Sequence, residues 1–279
     1  MITNEAVNHA IDYILEHAGE ELTIEEVAAY CNYSKFYFSR LFKEQTGESI
    51  YAFVKRLKLE RSAFRLKAEQ NRSITDIGEL YGYSSSNYSS AFRLHYHLSP
   101  IDFRRKSLRN AMEHPFFHHE NWELGTFGEC NRRITIEEVP DYFCIYERRF
   151  GNYHDLSRNW SEFLEAYKDY VTESTKMIER TFDDPSVTSA DGCLYDICMS
   201  VDRSCSLENT CTIQGGRCIV YHFNGLAKHI YAAYQTLFCV WLPQTSYQLD
   251  ECASAFDIYH VADCNTMYME LDICLPILK

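Results

Sequence analysis

Through the first third of the chain, apolar residues recur about every three or four positions, the rhythm of helices with one buried face. The pattern is written twice. The stretch TIEEVAAYCNYSKFYFSRLFKEQTGESIYAF, from Thr23, lies without a gap over SITDIGELYGYSSSNYSSAFRLHYHLSPIDF, from Ser73, at an offset of 50 residues. Ile24/Ile74, Val27/Ile77, Tyr33/Tyr83, Ser34/Ser84, Phe42/Phe92 and Phe53/Phe103 match, as apolar or capping positions of equivalent units should. Thr23 with Glu26, and Ser73 with Asp76, resemble capping boxes that open the first helix of each copy. Ser34, and Ser84 or Ser85, then cap the second. Asn32-Tyr33 and Gly82-Tyr83 leave room only for a tight turn, so the paired helices must cross sharply. Gly47 suits a left-handed helix end, and His97 takes its place in the other copy.

Between the copies, from Ser49 to about Glu69, Phe53, Leu57, Phe64 and Leu66 alternate with Lys55, Arg56, Lys58, Arg61, Arg65 and Lys67, which reads as one long amphipathic helix. About 20 residues at about 1.5 Å each make it roughly 30 Å long, close to the ~34 Å between successive major-groove faces on one side of B-DNA. Two helix-turn-helix units at that spacing can enter adjacent grooves. The segments SKFYFSRLFKEQTGESIYAFVKRLKLERSAFRL and ITDIGELYGYSSSNYSSAFRLHYHLSP, closed by Ser99-Pro100, resemble the AraC/XylS DNA-binding domain over residues 1–107. The resemblance implies a transcription regulator, with activation the commoner sign, whose partners are double-stranded DNA and RNA polymerase. It places Lys35, Phe36, Ser39 and Arg40 on the exposed side of the first recognition helix. Arg40 has a planar fork able to bond guanine O6 and N7 together, or to contact phosphate. Ser86, Asn87 and Ser90 take the corresponding surface of the second copy, with Arg93 beside them for phosphate. The family often carries Arg where this chain has Ser90, and its second recognition segment is usually longer by one residue. The second copy is therefore expected to position the protein, or to contribute weakly, while the first reads bases.

Beyond residue 107 the helical pattern is lost, and residues 108–128, with Pro115, Gly125 and Gly128, read as a linker. His114, His118 and His119 cluster there without cysteine or carboxylate partners and read as incidental. A second repeat follows. VPDYFCIYERRFGNYHDLSRNWSEFL, from Val139, aligns at offset 74 with IQGGRCIVYHFNGLAKHIYAAYQTLF, from Ile213, and YDICMSV from Tyr195 resembles LDICLPI from Leu271 at offset 76. Each copy reads strand, Gly-containing turn, amphipathic helix, then two strands. The predicted fold class is thus two domains: an all-α double helix-turn-helix domain, then an α+β domain of two β-α-β-β repeats over residues 129–279. The second should have pseudo-twofold symmetry, one antiparallel sheet, both helices on a single face, and a groove where the copies meet.

ITIEEVPDYFCIYERRFGNYHDLSRNW, CLYDICMSV, IQGGRCIVYHFNG, WLPQTSYQLDECASAFDIYH and the closing LDICLPI together resemble the GyrI-like effector-binding domain. The resemblance implies a small organic effector, amphipathic and often cationic. The family motif F-E-x-Y, whose Glu faces the ligand pocket, appears here as Phe256-Asp257-Ile258-Tyr259. On a strand Asp257 and Tyr259 share one face. A carboxylate among aromatic rings suits a lipophilic cation, since charge supplies Coulomb attraction and each π face adds roughly 0.5–2 kcal/mol when desolvated. Trp160, Tyr234, Tyr146 and Tyr195 are the expected aromatic neighbours. Shortening Glu to Asp withdraws the charge by one methylene, which weakens the preference for cations or enlarges the pocket.

Charge divides the chain at the same place. Residues 1–110 carry 15 Lys+Arg against 14 Asp+Glu, and residues 111–279 carry 12 against 26. A near-neutral first part can hold DNA if its bases cluster, whereas the acidic second part repels phosphate and attracts cations. The 12 cysteines form no CxxC pair and read as reduced, mostly buried thiols; Cys205 and Cys211 lack the paired spacing of structural zinc. No cofactor, metal or catalytic residue is implied. MITNEAVNHA lacks a secretory pattern and no apolar run approaches the roughly 20 residues of a membrane span, so a cytoplasmic protein with no membrane partner is expected. Two alternatives stay open on the sequence alone: an acidic domain that binds a protein partner, and a residual hydrolase in which a paired carboxylate activates water.

Overall fold

The computed structural model describes residues 1–113, 123–151, 153–189, 192–250, 253–263 and 265–278. They fall into two compact units, one of residues 2–111 with 186–188, the other of residues 112–185 and 189–279 with Met1. The His114, His118 and His119 cluster lies outside the described residues.

The first unit is helical. It begins with α1 (Glu5–Glu16), capped by Asn4, whose side chain accepts the Val7 N–H. The repeat then appears as α2 (Ile24–Tyr30) and α3 (Lys35–Thr46) in one copy, α5 (Ile74–Leu80) and α6 (Ser85–Tyr96) in the other. Thr23 and Glu26 form the full capping box. Ser73 accepts the Asp76 N–H, but the shorter Asp76 does not return the bond. Ser34 and Ser84 stand at the N-caps of α3 and α6 in extended backbone, yet their hydroxyls accept no capping bond. Each tight turn uses one left-handed residue at the same repeat position, Asn32 (φ 62°) and Gly82 (φ 76°). The recognition helices end equivalently, at Gly47 (φ 82°) and His97 (φ 57°), both left-handed.

Packing repeats as well. Phe38 and Phe42 of α3, like Tyr88 and Phe92 of α6, are buried at matching positions. Phe42 meets Phe53 edge-on at 5.5 Å, and Phe92 meets Phe103 edge-on at 5.2 Å. Phe53 belongs to α4 (Ile50–Ala68) and Phe103 to α7 (Pro100–Met112). α4 is capped by Ser49 and ends at Glu69, as its pattern predicts, but it is not a surface helix with one apolar stripe. Glu60 and Arg65 on its polar side are buried too, made tolerable by ion pairs of Arg56 with Glu60 (2.8 Å) and of Arg65 with Glu69. α7 continues to Met112, so the start of the 108–128 segment is helical.

The second unit holds α8 (Phe127–Asn131), then β1 (Ile134–Val139), β2 (Tyr142–Phe150), α9 (Leu156–Ala166), β3 (Met177–Thr181) and β4 (Leu194–Ser200). β5 (Thr210–Ile213), β6 (Gly216–Leu226), α10 (Ile230–Thr236), β7 (Ala255–Asp263) and β8 (Tyr268–Pro276) repeat the series. All eight strands join one antiparallel sheet in the order β1-β6-β8-β7-β3-β4-β2-β5. Each copy therefore has one strand more than its β-α-β-β pattern announced. The additional strands are exchanged: β1 of the first copy edges β6 of the second, and β5 of the second edges β2 of the first. Each covers an edge that the other copy would leave open. The copies meet where β3 pairs with β7.

The sheet has two distinct faces. One carries Ile145, Tyr195, Ile197 and Met199 against Trp160 and Phe163 of α9. The other carries Tyr146, Ile178, Cys198, Phe256 and Ile258, with Cys144, Cys218 and Cys274 among them. No disulfide forms among the described residues.

Candidate DNA-binding surface and ligand site

Burial of Phe38 and Phe42 turns the opposite side of α3 outward. Phe36 is 86% exposed, Lys35 and Arg40 are exposed, and Ser39 is half-buried. Lys35 Nζ is bound to Glu25 Oε1 at 2.5 Å. Arg40 has no ion pair among the described residues and lies 5.8 Å from the centre of the Tyr37 ring. Tyr37, itself 47% exposed and stacked on Tyr33, joins this surface unannounced by the repeat, because its α6 equivalent is Asn87. On α6, Ser86, Asn87, Ser90 and Arg93 are all exposed above buried Tyr88 and Phe92. The two helices thus present equivalent faces with different chemistry: an Arg with no ion pair on one, hydroxyls and an amide on the other.

The second cluster is built at the line where the copies meet. Asp257 on β7 sits directly opposite Glu179 on β3, so both side chains stand on the helix-bearing face. Asp257 is 2% exposed and Glu179 3%. The Tyr234 hydroxyl of α10 donates to Asp257 Oδ2, while Asp257 Oδ1 is buried with no hydrogen-bond partner. The Tyr259 hydroxyl donates to Glu179 Oε2 at 3.1 Å. Trp160 of α9 packs edge-on to Tyr259 at 5.6 Å, and its indole N–H is buried without a partner of normal geometry. Tyr195 stacks on Tyr153 at 5.0 Å and accepts a 2.7 Å bond from Asn159. Burial, then the Glu179 charge, lift the Asp257 carboxyl well above the usual carboxylate range, against the Tyr234 hydrogen bond. Burial pushes Glu179 up to about 7, opposed by Tyr259 and Trp160. The arrangement is an aromatic box with two acids at its floor and no ion pair to either among the described residues.

Five of the six residues expected here, Asp257, Tyr259, Trp160, Tyr195 and Tyr234, do come together. Tyr146 does not. It pairs with Cys198 on β4, and alternation along β2 turns its ring to the opposite face, where the Arg148 guanidinium lies 5.5 Å from its centre. Glu179 was missed by the motif reading. Its signal was the repeat itself, since β3 holds in the first copy the place that β7 holds in the second. A separate groove of about 530 Å³, lined by Glu129, Arg132, Arg133, Tyr221, Phe223 and His229, touches neither acid.

These features define a class: a double helix-turn-helix regulator with a sensor-type α+β domain. A helix-turn-helix domain family matches residues 27–106, and the GyrI-like small molecule binding domain family matches residues 132–278, more than half of the chain. The chain belongs to the AraC/XylS transcription regulators that carry a GyrI-like small molecule binding domain. It is 29% identical to the transcriptional regulator Rob of Salmonella typhimurium over 157 residues, 53% of each chain, and so spans about half the length of that relative. It is 24% identical to the right origin-binding protein of Escherichia coli over 244 residues, 81% of each chain. A solved EcmrR–DNA complex matches 88% of this chain and 85% of that one, at 13% identity and a TM-score of 0.46. No helix among the described residues is long and apolar enough to cross a membrane.

Proposed function

We propose that the chain is a cytoplasmic transcription activator whose DNA-binding unit responds to an amphipathic organic cation held at Asp257, and which then engages RNA polymerase. The single observation that carries the reading is Asp257: a buried carboxylate oxygen with no hydrogen-bond partner, inside a ring of aromatic side chains, with no ion pair among the described residues. An unpaired buried acid of this kind destabilises a fold unless something completes it. A lipophilic cation supplies both the charge and the apolar surface that the box accepts. Arg40 on α3 leads base readout, and Lys35, Phe36 and Ser39 shape its surroundings. Ser86, Asn87, Ser90 and Arg93 on α6 seat the second copy, chiefly through the backbone. A ligand changes output only through unequal affinity for the active and inactive arrangements.

Tetraphenylphosphonium is a suitable probe for the full chain. Saturable quenching of Trp160 fluorescence, together with changed transcription from a promoter bearing a selected binding site, is the expected result. Absence of saturable quenching would speak instead for a protein partner of the acidic domain.

A further inference from the structure

Glu179 is the symmetry mate of Asp257, and the fold places the two acids side by side. β3 and β7 hold equivalent places in the two copies, run antiparallel across the meeting line, and bring Glu179 and Asp257 into direct register. Each acid receives one tyrosine hydroxyl, from Tyr259 and Tyr234 respectively, and neither forms an ion pair among the described residues. The other titratable groups around them are Tyr153 before α9 and Tyr195 of β4, with Asp183 and Cys193 near Tyr153. Asp155 and Arg149 act on Tyr195 from α9's entry and from β2; Arg149 is engaged by Glu147 at 2.5 Å and Asn159 at 3.0 Å. Burial keeps the tyrosines neutral, so they donate hydrogen bonds and bring no positive charge. Two adjacent carboxylates shut away from water cannot both stay ionised without a cation.

We propose that the Glu179–Asp257 pair is a proton–cation exchange site: without ligand it holds one proton between its two carboxyls, and a lipophilic cation enters by displacing that proton. The exchange balances. One proton leaves to solvent, one positive charge enters, and the net charge of the site is the same before and after. The upward displacement of both carboxyls by burial agrees with this geometry. The consequence is selectivity set by pH: cations bind more tightly as pH rises, while neutral molecules of the same shape are indifferent to it. The inference rests on the ligand reading above and adds to it the second acid and the proton.

Calorimetric titration of the full chain with tetraphenylphosphonium, which carries a fixed charge and no titrating proton, separates the two. Repeated in two buffers of different ionisation enthalpy, it should show release approaching about one proton per cation near pH 6, and an affinity rising by up to about tenfold per pH unit below about pH 7. Neutral triphenylphosphine oxide should release none. Glu179→Gln should flatten the pH dependence of cation affinity. Cation binding with no proton release and no pH dependence would overturn the exchange while sparing the cation site. No saturable binding at any pH would overturn the ligand reading, and the exchange with it.

Discussion

Glu179 and Arg180 are neighbours on β3 that point to opposite faces of one sheet, and the two faces treat buried charge in opposite ways. On Arg180's face, Asp196 of β4 lies in register between Arg148 of β2 and Arg180 of β3. Arg148 grips it with two bonds of 2.8 and 2.9 Å, and Arg180 adds its own at 2.9 Å. Asp196 and Arg148 are wholly buried. Burial works against the Asp196 charge, but the two guanidiniums outweigh it and hold the carboxyl below its ordinary range. On Glu179's face, two acids share a buried position beside the Tyr234 and Tyr259 hydroxyls and the Trp160 indole, with no ion pair among the described residues. The first cluster is neutralised from within the chain; the second has no ion pair among the described residues. The proposed ligand site rests on this contrast: buried acids with no ion pair among the described residues. The same contrast runs along α3, where Lys35 is held by Glu25 and Arg40 has no ion pair among the described residues.

Removing one member of each cluster should break the symmetry of this picture most visibly. Asp196→Ala removes the carboxylate that both guanidiniums grip and should cost about 3–5 kcal/mol in urea unfolding. Asp257→Asn removes an acid of which the fold satisfies only Oδ2, and its urea midpoint should match or exceed that of the parent chain. A large loss from Asp257→Asn would show that the carboxylate is structural. A second, smaller effect follows from pH. Burial raises the Glu179 carboxyl from 4.5 to about 7, so between those values the folded chain holds a proton that the unfolded chain has released. Its stabilisation is complete below about 4.5 and lost as pH rises through about 7. The ligand-free chain should thus have a lower urea midpoint at pH 8 than at pH 5, and Glu179→Gln should reduce the difference.

On the DNA side, Arg40→Ala should weaken binding to a selected site by about 1–3 kcal/mol and relax specificity at one base pair. An equal loss on unrelated DNA would make Arg40 a phosphate contact. Ser90→Ala, at the equivalent α6 surface, should change affinity least, by roughly 0.5 kcal/mol or less. A loss as large as that of Arg40 would mean that both copies read bases.

How much of this was legible before the structure differs from feature to feature. The helix-turn-helix copies were visible because an ungapped repeat, capping residues and Gly47 each encode local geometry. The exchanged strands were not, because which strand covers which edge is a long-range pairing that a strand pattern such as ITIEEV does not specify. Asp257 and Tyr259 were found from the motif, since alternate strand residues share a face. Tyr146 was misplaced because alternation fixes relative faces only within one strand. Glu179 was written in the repeat, but its register against Asp257 depends on how the copies join.

The central claim, that the chain leaves Asp257 unpaired for an incoming positive charge, is tested most directly by comparing two ligands of similar shape. Affinities of the parent chain and of Asp257→Asn for tetraphenylphosphonium and triphenylphosphine oxide can be measured by fluorescence at pH 8. The substitution should weaken binding of the cation by about tenfold or more and leave that of the neutral molecule nearly unaffected. Equal weakening of both would contradict it.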